Sequence, residues 1–231
     1  MKLIVAGSTG FVAGEVIRQA LSNPAITSVV ALGRREAVVP DTGDASKLKS
    51  VICNDFVNYP DDVKQDLDGA DACIWTIAVT PSKSKSVPWE TTVKVSRDYA
   101  LRAVEQMSSL SGKKPFRFVY VSGVNAQRDQ TKKPWLLGEY SLLRGEAESR
   151  VLELAEQSEG AIEPCVAKPG IINAPGHERP FLIKALYYLI GLPKVENRHM
   201  AAALLDQVVN GFEKDTLVND DLDRIGRKVL V

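Results

Sequence analysis

Histidine is nearly missing from this chain, cysteine is sparse, and neither sign of charge prevails, and each shortage removes a class of function. The two histidines, His177 and His199, are isolated, with no Cys, His or carboxylate nearby at metal-ligand spacing, so no metal site is expected. Cys53, Cys73 and Cys165 lie far apart in apolar or strand-like surroundings. Thiols so placed behave as small hydrophobes, which points to a reducing compartment rather than a disulfide framework. Lys and Arg number 29, Asp and Glu also 29, and the signs are interspersed. That excludes a basic surface for nucleic acid and a polybasic membrane anchor. No apolar run reaches the roughly 20 residues of a membrane span. The Gly-x-Ser-x-Gly elbow of hydrolases is absent, and no Gly-Lys-Ser/Thr follows the first glycine turn, which rules out a P-loop. The first strand is expected to begin almost at Met1, leaving no room for a signal or transit peptide, so the cytoplasm is the expected location.

What is present is ordinary globular composition, 231 residues of which 45% are hydrophobic, enough for one large core. A single domain over 1–231 is expected, with 173–231 as a small substrate-side helical portion. The opening stretch organises the rest. Leu3 to Ala6 form a short apolar run, a glycine-rich turn follows, and Val16, Ile17, Ala20 and Leu21 then recur at helical spacing. This is strand, tight turn and helix. Glycines in such a turn let the backbone approach a ligand, and the helix start offers N–H groups and a positive dipole end to a diphosphate. The spacing is Gly7-x-x-Gly10-x-x-Ala13, a partial match to the dinucleotide fingerprint.

Further strands are expected at Ile26–Leu32, Lys49–Val57, Ala72–Ala78 and Phe116–Val121, with a sixth near Pro164–Lys168. Helices are expected at Asp61–Leu67, from Trp89 to about Ser109, and from about Trp135 to Glu156. Pro81–Pro88 reads as a loop, and an amphipathic helix from Glu196 closes the chain. This alternation predicts an α/β fold with a doubly wound parallel sheet. Phe181–Leu192 is apolar on nearly every side, which fits a core or cap helix, a lid over the pocket or a homodimer contact.

The second strand ends in Gly33-Arg34-Arg35, where NAD sites place an acidic residue on the ribose 2′-hydroxyl. Paired guanidinium groups suit a 2′-phosphate, so the expected cofactor is NADP(H); a solvated basic turn neutralised by Glu36 is the alternative. Asp55 and Phe56 are candidates for the adenine rim, and Thr76, Ile77 and Ala78 for the face of the cofactor at the end of the fourth strand. Tyr140 and Arg144 lie one helical turn apart on one face. A cation beside a phenol favours phenolate, as proton transfer near neutral pH requires. Packing of Tyr140 and pairing of Arg144 with Glu148 are the simpler alternatives.

The ordered set of Gly7-Ser8-Thr9-Gly10-Phe11-Val12-Ala13, Leu32-Gly33-Arg34-Arg35, Val119-Tyr120-Val121-Ser122, Tyr140-x-x-x-Arg144-Gly145-Glu146-Ala147-Glu148 and Lys168-Pro169-Gly170 resembles the atypical short-chain dehydrogenase/reductases. The branch it is most similar to is that of the NmrA-like and Tat-interacting-protein-like NAD(P)-binding proteins. The resemblance implies a Rossmann-type sheet with a small C-terminal helical cap. It implies that Gly7, Ser8, Thr9, Gly10, Phe11 and Val12 hold the diphosphate of NADP(H), and that Arg34 and Arg35 take the 2′-phosphate. Asp55 and Phe56 then flank the adenine, Ala78 the ribose, and Pro169 and Ile171 the cofactor from the sixth strand. Tyr140 matches the family's proton-transfer tyrosine, and Arg144 stands where the family has a lysine that binds the nicotinamide ribose and lowers the tyrosine pKa, so both are also expected to touch the cofactor. Charge is kept there, while the longer planar fork changes the geometry. The serine pair after the fifth strand reads Ser122-Gly123, which leaves Ser122 or Asn125 to polarise a substrate. The implied function is an NADP(H)-dependent oxidoreductase of a small carbonyl, alkene or alcohol. A non-catalytic NADP(H) sensor, or an epimerase or isomerase using bound NAD(P), are the alternatives.

Overall fold

The computed structural model describes residues 1–135, 137–174 and 191–230. In chain order it runs β1 (Lys2–Ala6), α1 (Phe11–Ser22), β2 (Ser28–Gly33), β3 (Leu48–Ile52), α2 (Asp61–Leu67), β4 (Ala72–Trp75), α3 (Trp89–Val93), α4 (Tyr99–Leu110), β5 (Phe116–Val121) and α5 (Gly138–Glu156). It continues with β6 (Ile162–Lys168), β7 (Ile171–Asn173), β8 (Lys194–Glu196), α6 (Asn197–Asn210), β9 (Thr216–Val218) and α7 (Asn219–Val229). Seven parallel strands form the main sheet in the order β3-β2-β1-β4-β5-β6-β9, and β7 pairs with β8 apart from it. The α/β sheet covered by helices is therefore as the alternation predicted. Connections from β1 run outward through β2 to β3, and the chain then crosses back to β4 and runs the other way. The strand order thus reverses between β1 and β4, and that reversal opens a crevice at their carboxyl ends.

Side chains alternate across each strand, so the sheet divides the core in two. Leu3 and Val5 of β1 face α1, α6 and α7, where Ile17, Leu21, Met200, Leu204 and Leu222 are buried. Ile4 and Ala6 face the opposite layer with Phe56, Trp75, Val104, Phe118, Tyr120 and Val151. Burying one Val, Leu, Ile or Phe side chain is worth about 1.5–3 kcal/mol, so α1 is held by its apolar face rather than by its ends.

Several boundaries differ from the sequence reading, each for a local reason. The third strand stops at Ile52, because the Asp55 carboxylate accepts the Val57 N–H at 3.0 Å and turns the chain. Leu137, at a left-handed φ of 55°, delays α5 until Gly138. The helix from Trp89 is interrupted by a wider π turn over Lys94–Asp98. The C-terminal portion contributes more than helices: Thr216–Val218 adds a seventh strand beside β6. Three residues with one buried side chain give no readable period. A further helix, α7, follows that strand, so the helix from Glu196 is not the last element as expected; Asp220 and Asp221 in the first turn of α7 and Arg227 and Lys228 in its last suit the helix dipole. His177 and positions 181–190 of the apolar stretch Phe181–Leu192 lie outside the described residues.

Gly145 sits inside α5, where glycine costs roughly 0.5–1 kcal/mol relative to alanine. A Cβ there would run into the backbone carbonyl of Gln127, whose own N–H donates to Ser141 O at 2.9 Å. The loop after β5 therefore lies flush on α5, and only glycine permits it. We expect Gly145→Ala to destabilise the protein by about 1–3 kcal/mol despite better helix propensity, because the backbone must move. An unchanged or raised thermal midpoint would contradict this contact.

Candidate functional site

The turn after β1 is shaped for close approach. Gly7 has φ of 87°, and a Cβ on it would also collide with the Thr76 hydroxyl. That hydroxyl donates to Ala6 O at 2.7 Å, closing the ladder at the ends of β1 and β4. The N–H groups of Gly7 and Ser8 both donate to Leu32 O, at 2.9 and 3.2 Å, which ties the turn to β2. Gly10 then caps α1 without a side-chain hydrogen bond, and no acidic residue lies in the first turn. The positive end of α1 meets a cleft of about 500 Å³ lined by Thr9, Gly10, Phe11, Gly14, Ala174 and Asn197, among others. Val12 packs partly on the core beside it. Ser8 is buried, yet its hydroxyl has no partner among the described residues, and a Cβ on Gly33 would run into that oxygen.

At the end of β2, Arg34 and Arg35 are both exposed. Neither has a hydrogen-bond or ion-pair partner among the described residues, so Glu36 does not neutralise them. Asp55 folds back on its own turn, accepting from Val57 N and Asn58 Nδ2, and these bonds hold its carboxyl below the usual range. The Phe56 ring points into the core, edge-on to Trp75 at 5.7 Å and tilted against Tyr99 at 5.3 Å. Only the backbone of Phe56 is left for the rim. Ile77 and Ala78 continue from Thr76 and are half-buried. Pro169 O accepts from Val124 N at 2.9 Å, while Ile171 lies buried in β7, its N–H on Pro193 O.

Tyr140 reaches out of the first turn of α5 and donates its hydroxyl to Val79 O at 2.7 Å, in the segment that leaves β4. The N–H of Val79 donates to Ser96 Oγ at 3.1 Å. Ser96 is the centre of the π turn, and the widened turn turns its carbonyl toward side chains rather than toward the helix. Tyr120 Oη donates to that carbonyl at 2.8 Å and Arg144 Nη1 at 3.3 Å. Arg144 also donates to Val121 O at 2.7 Å and lies over the Tyr120 ring at 4.7 Å. Arg144 is therefore buried and bonded to carbonyls and a ring, not to Glu148. Burial pushes the Tyr140 phenol above its ordinary value, and Arg144 pulls the other way without prevailing. The sequence reading had the cation but not the desolvation.

Glu148, one turn beyond Arg144, was missed as a site residue. It is fully buried and accepts from Ser122 Oγ at 2.5 Å, from Arg128 Nε at 2.7 Å and from Lys168 Nζ at 2.9 Å. Lys168 Nζ also donates to Ala126 O, and Arg128 Nη2 to Thr216 Oγ1, so one carboxylate joins β5, the following loop, α5, β6 and β9. The signal available was the acid four residues after Arg144 together with Lys168 at the end of the sixth strand. Their meeting depends on strand order. Asn125 is exposed.

A family model described as NAD(P)H-binding matches residues 7–160, from the first glycine of the turn to the end of the α5–β6 connection. The chain belongs to this NAD(P)H-binding family. Its ordered motifs resemble those of the atypical short-chain dehydrogenase/reductases, and its fold is of the Rossmann type. Protein FMP52, mitochondrial, of Candida albicans is 26% identical over 193 residues, which are 83% of this chain and 76% of that protein. Among solved structures, MoeE5 in complex with UDP-glucuronic acid and NAD superposes with a TM-score of 0.70 at 18% identity, covering 94% of this chain and 75% of the other. Vestitone reductase from alfalfa (Medicago sativa L.) gives 0.68 at 22% identity, with 94% and 76% covered.

The residues present suit the NAD(P)H of this family. Its diphosphate needs an uncapped helix start and a backbone that can come close, which the α1 terminus and Gly7 supply. The orphaned Ser8 hydroxyl beside the end of β2 is a buried polar atom awaiting a partner of the kind a nucleotide carries. No helix among the described residues is long and apolar enough to cross a membrane.

Proposed function

We propose that the protein is an NADP(H)-dependent oxidoreductase of a small carbonyl, alkene or alcohol, with Tyr140 moving the proton. The observation that carries this reading is the hydrogen bond from Tyr140 to Val79 O. It sets a phenol against the loop leaving β4, beside the crevice where the strand order reverses. A bound nicotinamide supplies hydride transfer. The chain's own part is to grip, orient and protonate. The Gly7–Val12 turn and α1 hold the diphosphate, with Thr76, Ile77 and Ala78 along its path, and Pro169 and Ile171 border it from β6 and β7. Arg34 and Arg35, unpaired and next to the adenosine end, take the 2′-phosphate, and Asp55 flanks the adenine with the Phe56 backbone. Arg144 keeps positive charge beside the phenol, which favours release of its proton. Ser122 contributes an oxygen near the reacting group, its own proton held by Glu148.

Calorimetric titration with NADPH and NADH tests the cofactor half. Charge-assisted bonds are worth about 1.5–3 kcal/mol each, so replacing Arg34 and Arg35 together by alanine should weaken NADPH roughly 100-fold and NADH little. Equal losses would remove the arginine assignment, and no heat from either dinucleotide would remove the whole proposal.

A second reading, a dinucleotide sensor without turnover, is favoured by one observation. Tyr140, Arg144 and Ser122 each donate to protein acceptors. Turnover that Tyr140→Phe abolishes would exclude it. A cytoplasmic location belongs to the proposal too, supported by three buried free thiols, with Cys165 pushed up to about 12 by burial.

A further inference from the structure

We infer that Asn197, from the start of α6, is a binding residue for the nicotinamide-ribose half of the dinucleotide. The inference rests on the proposed function. Asn197 lines the cleft at the α1 terminus and is 6% exposed. Its Nδ2 donates to Phe11 O at 3.1 Å, in the first turn of α1, which fixes the amide in orientation. Its Oδ1 is sealed from solvent and has no partner among the described residues. A buried amide oxygen left unmatched at the wall of this cleft is an acceptor waiting for a donor, since groups of this kind are nearly always paired.

The identity of the donor follows from where the cleft lies. Arg34 and Arg35 mark the adenosine end, beside β2. The cleft is also lined by Asn197 and by Ala174, which follows β7; β7 continues from the end of β6, and β6 lies across β1 from β2 in the main sheet. A dinucleotide laid across the α1 terminus therefore brings its other half to Asn197. Phosphate oxygens at neutral pH are acceptors and do not satisfy Oδ1. The donors in that half are the ribose hydroxyls and the carboxamide N–H₂ of nicotinamide. Asn197 thus works at both ends of one amide, steadying the helix turn that meets the diphosphate and taking a hydrogen bond from the neighbouring moiety.

The test is calorimetric titration of wild type and Asn197→Ala with three probes: NADPH, 2′-phospho-ADP-ribose and adenosine 2′,5′-bisphosphate. One neutral hydrogen bond corresponds to a loss of up to about tenfold. We expect that loss for NADPH and none for the bisphosphate, which lacks the distal half. A loss that persists with 2′-phospho-ADP-ribose assigns the ribose hydroxyls, and one confined to NADPH assigns the carboxamide. Equal affinities of variant and wild type for all probes overturn the inference while leaving dinucleotide binding intact. Equal losses for all three overturn it as well, since Asn197 would then act only by shaping α1. Wild type that binds no dinucleotide sinks this inference together with the proposed function. Should Asn197→Ala fail to fold, the side-chain amide resonances of Asn197 in wild type decide: they shift on titration with NADPH but not with the bisphosphate, and no shift with NADPH overturns the assignment.

Discussion

Tyr140→Phe is expected to lower turnover by roughly 100- to 10,000-fold, the range for loss of a positioned proton donor, while leaving NADPH affinity within a few-fold of wild type. The substitution removes one oxygen whose hydrogen-bond partner is Val79 O, so the α5 backbone and the Arg144 contacts to Ser96 O and Val121 O stay in place. The pH profile gives a second, independent readout. Burial holds the phenol protonated above the ordinary tyrosine range. Reduction, which draws a proton from Tyr140, should then persist through neutral pH and fall only on the alkaline side. Oxidation, which needs the phenolate as acceptor, should rise with pH over the same span. A reduction rate that falls between pH 6 and 8 in wild type, or full activity in Tyr140→Phe, would refute the role given to this residue. Ser96→Ala separates positioning from chemistry: it frees the Val79 N–H, so the pH limb should shift while a variant that merely loosened the fold would leave it in place.

Glu148→Ala should destabilise the protein by roughly 3 kcal/mol, the lower end of the range for removing one partner from a buried ion pair. The carboxylate is fully buried, and Lys168 is 15% exposed, so its ammonium would be left with one backbone carbonyl, Ala126 O, in place of a charge. Arg128, at 34%, can turn toward water and recovers part of the loss, which is why the lower end applies. For a chain of this length such a loss lowers the thermal midpoint by about 6–12 °C. Glu148→Gln keeps shape and an acceptor oxygen but not the charge, and should fall between. A midpoint for Glu148→Ala within about 2 °C of wild type would mean that the cluster is not what joins β5, β6 and β9 to α5. The same variant releases the Ser122 proton, so Ser122 could then donate to a substrate carbonyl. The loss of stability and the change at Ser122 come from one side chain.

Much of the architecture was legible because its signals are local. The apolar run Leu3–Ala6, the Gly7-x-x-Gly10 turn and the helical spacing of Val16, Ile17, Ala20 and Leu21 each lie within one element, and all three appear where the spacing put them. Asp61–Leu67 and Phe116–Val121 match residue for residue. Boundaries slipped where a single side chain or an unusual backbone angle decided them, as Asp55, Thr76 and Leu137 do. The strand Thr216–Val218 escaped notice because its partner β6 lies some fifty positions earlier in the chain.

The sequence alone therefore determined the kind of sheet, the glycine turn, the arginines after β2 and the helical pairing of Tyr140 with Arg144, since periodicity, φ preference and charge are properties of neighbouring residues. Only the tertiary structure decided what those groups face. It buried Arg144 among carbonyls and raised the Tyr140 phenol, turned the Phe56 ring inward, gathered Ser122, Arg128 and Lys168 around Glu148, and brought Asn197 against the first turn of α1. Desolvation and contacts between distant strands arise from packing in three dimensions, and no window along the chain contains them.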